Sequence, residues 1–211
     1  PAPGILPRLE FSGGIPASSR TVVVIPAMLT NEAMAAKLVS DLEIQYLANR
    51  DNNLFFALLT DFPDANQQEM PHDTELLERL RSGIEKLNRK YCPEQESLFF
   101  LFHRPRLWNP EEKKWMGYER KRGKLMAFSQ FLVKGSVQSF MITEGSLHVL
   151  DEIKYVITLD TDTQLAPCSV HKLVGTMAHI LNRPVIDPKR NVVIKGYGIL
   201  QPRVATRLQS S

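Results

Sequence analysis

Long apolar runs are missing from this chain. Its longest, such as Val22–Ile25, Leu54–Leu59 and Leu98–Phe102, fall far short of the roughly 18 residues that cross a bilayer, so no membrane-spanning pattern is present. Cysteine is scarce. Cys92 and Cys168 stand 76 positions apart with no other thiol near either, which excludes a disulfide framework and a CxxC metal site and suits a reducing compartment. The five histidines (His72, His103, His148, His171 and His179) show no HxxxH or HExxH spacing, so a zinc site is not expected. There is no GxGxxG for a dinucleotide and no GxSxG nucleophile elbow. A P-loop is excluded as well: five residues rather than four separate Gly117 from Gly123, Leu125 stands where Ser or Thr belongs, and no apolar strand leads in. Internal repeats, low-complexity runs and a signal-peptide pattern are absent too. The chain opens on Pro1 and closes on a polar tail, Thr206 to Ser211, and is expected to be a piece of something longer.

What is present is the composition of a globular domain: 211 residues, 43% hydrophobic, with 26 basic and 23 acidic side chains. That length provides one domain or slightly more with a sizeable core. The net charge of +3 is unevenly spread. Between His103 and Lys124 lie Arg104, Arg106, Lys113, Lys114, Arg120, Lys121, Arg122 and Lys124 against Glu111, Glu112 and Glu119. The segment therefore carries +5 and the remainder −2. One positive block on a near-neutral body points to a local anionic partner, not to a nucleic-acid coat.

Four short apolar runs are too continuous for half-exposed strands: Val22–Ile25, Leu54–Leu59, Leu98–Phe102 and Tyr155–Leu159. Such runs suit a parallel sheet covered on both faces. Helical stripes lie between and after them. Ala35, Leu38, Val39, Leu42 and Tyr46 repeat behind a Thr30 or Asn31 cap; Leu76 to Tyr91 follow Asp73; Leu125, Phe128 and Leu132 form a third stripe; Val170 to Leu181 form a fourth, stopped by Pro184. Strand and helix alternate, which predicts an open, mostly parallel, doubly wound α/β sheet of Rossmann-like type flanked by helices. Val192–Leu200 reads as a further strand at a sheet edge, and Arg104–Tyr118 as a loop or hairpin over one end of the sheet. The expected layout is an N-terminal extension over 1–20, a ligand-binding part over 21–204 and a disordered tail over 205–211.

Ligands of open α/β sheets sit outside the carboxyl ends of the strands. There the chain offers Pro26 to Asn31, then Asp61 and Asp64, then His103 to Arg106, then Asp160 to Thr163. The sharpest motif is Asp160-Thr-Asp162 after an apolar strand. Carboxylates at i and i+2 point the same way on an extended chain, and together they call for a cation. Hard oxygen ligands with space for substrate phosphates suit Mg²⁺ or Mn²⁺. The plainer reading makes one aspartate a cap for the helix near Pro167. Arg120-Lys-Arg-Gly-Lys124, at the start of the third helix, combines free N–H groups with cations and suits a diphosphate. Trp108 and Trp115 either stack on a sugar or base or, more simply, anchor the excursion.

With these residues in hand, the chain resembles the donor half of a GT-A glycosyltransferase. Val22-Val-Val-Ile-Pro26 with Asn31-Glu32 is similar to the first strand and turn of that fold, Leu58-Leu-Thr-Asp61 to its second strand, Arg122-Gly-Lys124 to the Gly-Lys segment of processive synthases, and Asp160-Thr-Asp162 to its DxD. Longer stretches resemble the cyclic β-1,2-glucan synthases: Tyr46-Leu-Ala-Asn-Arg-Asp51, Phe100-Leu-Phe-His-Arg-Pro-Arg106, Trp115-Met-Gly117, Glu119-Arg-Lys-Arg-Gly-Lys-Leu125 and Gly196-Tyr-Gly-Ile-Leu-Gln-Pro-Arg203. The resemblance implies the donor-binding part of a large multidomain protein of the bacterial inner membrane, using UDP-glucose on the cytoplasmic face to build a glucan on an acceptor chain. It also implies that Asp160 and Asp162 hold Mg²⁺ or Mn²⁺, Asp61 the uridine, Lys124 with Arg122 the phosphates, and Pro26 and Asn31 the donor-side turn. The general base is expected outside this chain, because Asp187 is the only acid after Asp162. Donor binding without efficient transfer follows. Two rivals are a haloacid-dehalogenase-like phosphatase, with Asp160 as nucleophile and Asp162 as acid but only 49 residues left for its other motifs, and a non-catalytic interaction module.

Overall fold

A computed structural model describes residues 6–93 and 96–202. The tail expected over 205–211 lies outside the described residues, as does the end of the 196–203 stretch. The central sheet is built from β1 (Thr21–Met28), β2 (Leu54–Asp61), β3 (Phe99–His103), β6 (Ile142–Glu144) and β7 (Tyr155–Thr158). Its order is β6-β3-β2-β1-β7, with only β6 antiparallel. The helices are α1 (Glu32–Ala48), α2 (Asp73–Tyr91), α3 (Arg120–Lys134) and α4 (Ser169–Ala178). The predicted Rossmann-like α/β architecture is the observed one.

Two-residue periodicity divides the strands between two cores. Val23, Ile25, Phe56, Leu58, Phe99 and Leu101 face one side, covered by Leu38, Leu42 and Tyr46 of α1, Leu77, Leu80 and Ile84 of α2, and Val170 and Val174 of α4. Val22, Val24, Phe55, Ala57, Leu59, Phe100 and Phe102 face the other, covered by Ala127, Phe128 and Phe131 of α3 with Phe140, Val149 and Leu150. Both faces are covered, so the apolar residues of β1, β2 and β3 run on without alternation, with polar residues only at the strand ends (Thr21, Thr60, Asp61 and His103). Asn31 caps α1 as its sequence suggests, its side chain accepting from Met34 N at 2.8 Å. At the amino ends of the strands the buried Asp51 carboxylate accepts from Ile15 N (2.8 Å), Asn53 N (2.9 Å) and His171 Nε2 (2.9 Å), which fastens the N-terminal segment and α4 to the sheet.

Several expectations need correction. The segment after Val192 is not at an edge of the central sheet: β9 (Val192–Lys195) pairs only with β8 (Val185–Asp187), as a separate hairpin. β7 is not covered on both faces. It is an edge strand with Val156 and Thr158 exposed, and among the described residues no further strand pairs beyond it. The fourth helix stops at Ala178, well before Pro184, since the chain turns extended at His179 and the Thr176 carbonyl accepts from His179 N (3.3 Å) and the Asn182 amide (2.7 Å). On α3 the buried face is Lys124, Ala127, Phe128 and Phe131; Leu125 and Leu132 are only half-buried. The excursion after β3 is a hairpin, β4 (Leu107–Asn109) with β5 (Lys114–Met116). Trp108 and Trp115 face each other across it at 5.8 Å, and Trp115 exchanges backbone hydrogen bonds with Ala65, which is the anchoring role.

Phe102 is completely buried and meets the rings of Phe128, Phe131 and Phe140 at 5.0–5.1 Å. Phe102→Ala removes the hub that joins α3 to the sheet. A loss of about 3–5 kcal/mol is expected, to be read from the urea midpoint.

Candidate active site at the sheet's switch point

From β1 the chain runs to β2 and β3 on one side, then crosses to β7 on the other. The reversal places a crevice between the carboxyl ends of β1 and β7, where open α/β sheets take their ligands. Pro26 helps to open it. The Val24 carbonyl accepts from Leu159 N at 3.0 Å, and pairing of β1 with β7 ends at Val24. Pro26, two residues on, points the same way and has no N–H to offer. β7 therefore leaves the sheet there, and Asp160, Thr161 and Asp162 form the turn that follows, closed by Thr163 N to the Asp160 carbonyl at 3.0 Å.

That turn is held from α1 by a residue that sequence inspection missed. Gln45, 3% exposed, donates from Nε2 to the Thr163 carbonyl (2.8 Å) and accepts from Leu165 N (3.0 Å). Only its position on the buried stripe of α1 hinted at this, one residue before Tyr46. A small cleft of about 90 Å³ lies here, lined by Lys37, Asp41, Gln45 and the 160–164 turn. Asp160 and Asp162 are both exposed, and neither caps α4, whose N-cap is Cys168.

Asp61 and Lys124 are placed differently from the exposed pair. Asp61, at the end of β2, is 2% exposed and lies between Lys124 and Arg104. Arg104 donates to Asp61 Oδ2 at 2.7 Å and to the carbonyls of Tyr118 (3.1 Å) and Arg120 (3.2 Å). Lys124 Nζ binds Asp61 Oδ1 and the Ala27 carbonyl, the latter at 2.9 Å. Burial pulls the Lys124 ammonium below the ordinary lysine range while the Asp61 charge opposes that shift. Two glycines are required by this closeness. A Cβ on Gly117 would lie 2.3 Å from Asp61 Oδ2, and one on Gly123 2.2 Å from the Tyr118 carbonyl. Beside the cluster, His103 is fully buried; its Nδ1 meets Thr60 Oγ1 at 2.8 Å and its Nε2 has no partner. Burial pushes this imidazole down to about 4, against the charges of Asp61 and Asp73.

The remaining cations are spread around the crevice. Arg120 pairs with Asp64 at 2.9 Å, Arg122 turns to Glu119 at 3.5 Å, and Lys121 contacts Asp160. Pro26 is buried in β1, and Asn31 is spent on its helix. Among the described residues no three His, Cys, Asp or Glu gather to hold a metal by themselves. Asp160 and Asp162 nevertheless fit Mg²⁺ or Mn²⁺ bound through one or two carboxylates, with substrate oxygens and water completing the shell.

Fold and site together define an open Rossmann-like α/β domain with an aspartate pair at its switch point. Over 206 residues the chain is 42% identical to the cyclic β-(1,2)-glucan synthase NdvB of Rhizobium meliloti (strain 1021). It is homologous to one segment of that synthase: the match takes in 98% of this chain and 7% of the length of the relative. No protein-family model matches the chain. No helix among the described residues is long and apolar enough to cross a membrane.

Two measurements test the buried cluster. Asp61→Asn leaves Arg104 and Lys124 facing each other without their anion, and a loss of about 3–5 kcal/mol is expected in urea unfolding. The unfolded His103 takes up its proton near pH 6.5 and the folded one only near 4. Between those values the unfolded state binds more protons, so stability falls as pH is lowered, by up to about 3 kcal/mol from this group. His103→Asn is expected to flatten that slope relative to the parent chain.

Proposed function

We propose that this chain is the donor-binding part of a glucosyltransferase domain, working in cyclic β-1,2-glucan synthesis with UDP-glucose as donor and a glucan as acceptor. The observation that carries the reading is the Asp160–Asp162 turn at the switch point, in a chain 42% identical to a segment of a cyclic β-(1,2)-glucan synthase. In this reading the rest of a large membrane-associated protein supplies the acceptor side.

The chemistry requires a nucleoside diphosphate to leave the glucose carbon as negative charge builds on it. Asp160 and Asp162 would hold a divalent cation, which when bound would supply the positive charge that neutralises the departing diphosphate and lowers the barrier to its departure. The chain's own groups do the rest. The Asp160 and Asp162 carboxylates would hold that cation and through it the diphosphate end of the donor, and the basic first turn of α3, Arg122 included, adds positive potential where the charge develops. Asp61 and Lys124, expected on the uridine and the phosphates, are buried against each other and form the floor of the crevice instead, Pro26 keeps the crevice open, and Asn31 holds the turn beside it in shape. Asp187 is not a base for the acceptor hydroxyl: its carboxylate accepts from Lys189 N (2.8 Å) and Arg190 N (3.3 Å), closing a hairpin turn. Donor binding without efficient transfer is the expected behaviour of this chain alone.

Calorimetric titration with UDP-glucose in the presence and absence of Mn²⁺ tests the proposal. Metal-dependent binding is expected, weakened about 10- to 100-fold or more in Asp162→Ala. Absence of any nucleotide binding would favour an interaction module. Turnover of UDP-glucose onto a β-1,2-glucan by these residues alone would refute the division of labour.

A further inference from the structure

Four cations open α3, and the fold gives each a different surrounding. Lys124 is 3% exposed and spent on Asp61 and Ala27. Arg120 is tied to Asp64 across the β2 end, and Arg122 turns to Glu119 on its own helix. Lys121 alone of the four is both half-exposed and at the switch point, where its ammonium meets Asp160. Positions 121 and 124 lie one turn apart on the same helical face. Their two ammoniums are therefore ranked along the crevice, the buried one under the β1–β2 side and the accessible one over the β1–β7 side.

A lysine on one of two candidate metal ligands cannot remain there when a divalent cation arrives. Asp160 would have to lose its first partner, and two cations a few ångströms apart repel. The displaced ammonium has a long flexible stem and stays at the crevice mouth, within reach of whatever anion the metal brings. Resting on the donor-site reading above, we propose that Lys121 is an exchangeable counter-ion. It neutralises Asp160 while the site is empty, yields that carboxylate to the divalent cation, and moves onto the diphosphate of the donor. The pair is half-exposed on both sides, with side chains 52% and 59% accessible. Such pairs are weak, which makes the exchange possible.

The exchange has a signature of opposite signs. Removing the ammonium should strengthen binding of the metal alone and weaken binding of the nucleotide with metal. A residue that merely stabilises the turn would weaken both. The test uses the full chain with Mn²⁺ alone, followed by the paramagnetic resonance of free Mn²⁺, and then UDP at saturating Mn²⁺, followed by calorimetry. In Lys121→Gln, Mn²⁺ affinity is expected to rise about two- to fivefold, and UDP affinity to fall about tenfold. Lys121→Arg should stay near the parent chain in both. Lys86→Gln on the exposed face of α2 removes the same charge elsewhere and should change neither. The gain in Mn²⁺ affinity should also shrink at high salt, where the exposed pair is screened. Unchanged or weaker Mn²⁺ binding in Lys121→Gln, or unchanged UDP binding, overturns the exchange while leaving the donor site standing if Asp162→Ala still abolishes Mn²⁺ binding. If the parent chain binds no Mn²⁺, the donor-site reading fails and takes the exchange with it.

Discussion

The carboxylate of Asp61 is the point on which this end of the molecule depends. It sits at the last residue of β2, buried, with a guanidinium from the end of β3 and an ammonium from α3 closing on it. Arg104 extends the same contact to the backbone on either side of the α3 start, at Tyr118 and Arg120. One anion thus joins two strands, a helix and the approach to that helix. Removal of a single partner from such a group leaves a charge in a low-dielectric interior, which is why buried ion clusters tolerate loss poorly even where their net contribution is small. The neighbouring imidazole of His103 stays neutral chiefly because it is buried: the charges of Asp61 and Asp73 favour its proton, those of Arg106 and Lys124 oppose it, and burial decides the outcome.

The consequence for function is an arrangement of charge by depth. Asp61, Arg104 and Lys124 lie beneath the carboxyl ends of the strands, while Asp160, Asp162 and Lys121 lie above, at the solvent. The upper layer owes its position to Pro26 and to Gln45. The first denies β7 a further ladder bond, and the second ties the resulting turn to α1 through two hydrogen bonds between its side-chain amide and the backbone of the turn.

Much of this was legible in the residues. Continuous apolar runs in β1, β2 and β3 revealed strands covered on both faces, and the 3.6-residue stripes of α1 and α2 located those helices, with Thr30 or Asn31 as the cap of the first, a choice the structure makes for Asn31. The aspartates after β7 were recognisable because an apolar strand delivers them to the sheet's ligand-binding end. Other features were not legible. β6 is three residues long and exists only because β3 lends it a partner. Val192 to Lys195 has the composition of a sheet strand, yet its partner is a local hairpin strand, a choice that composition does not encode. The glycines at 117 and 123 looked like parts of a motif; their physical reason, the approach of Asp61 and of the Tyr118 carbonyl, appears only when distant segments meet.

The basic segment shows where the line falls. Sequence by itself determined that positive charge concentrates between His103 and Lys124, that a pair of carboxylates follows an apolar strand, and that strand and helix alternate; periodicity and local charge are properties of neighbours along the chain. Tertiary structure decided which of those charges face inward and which face water. Arg104 and Arg106 became interior residues, Lys124 was buried against Asp61, and Lys121, three positions earlier, reached Asp160 instead. The physical reason is that burial and pairing of a charge depend on what the fold brings across tens of residues of chain, and no local pattern carries that information.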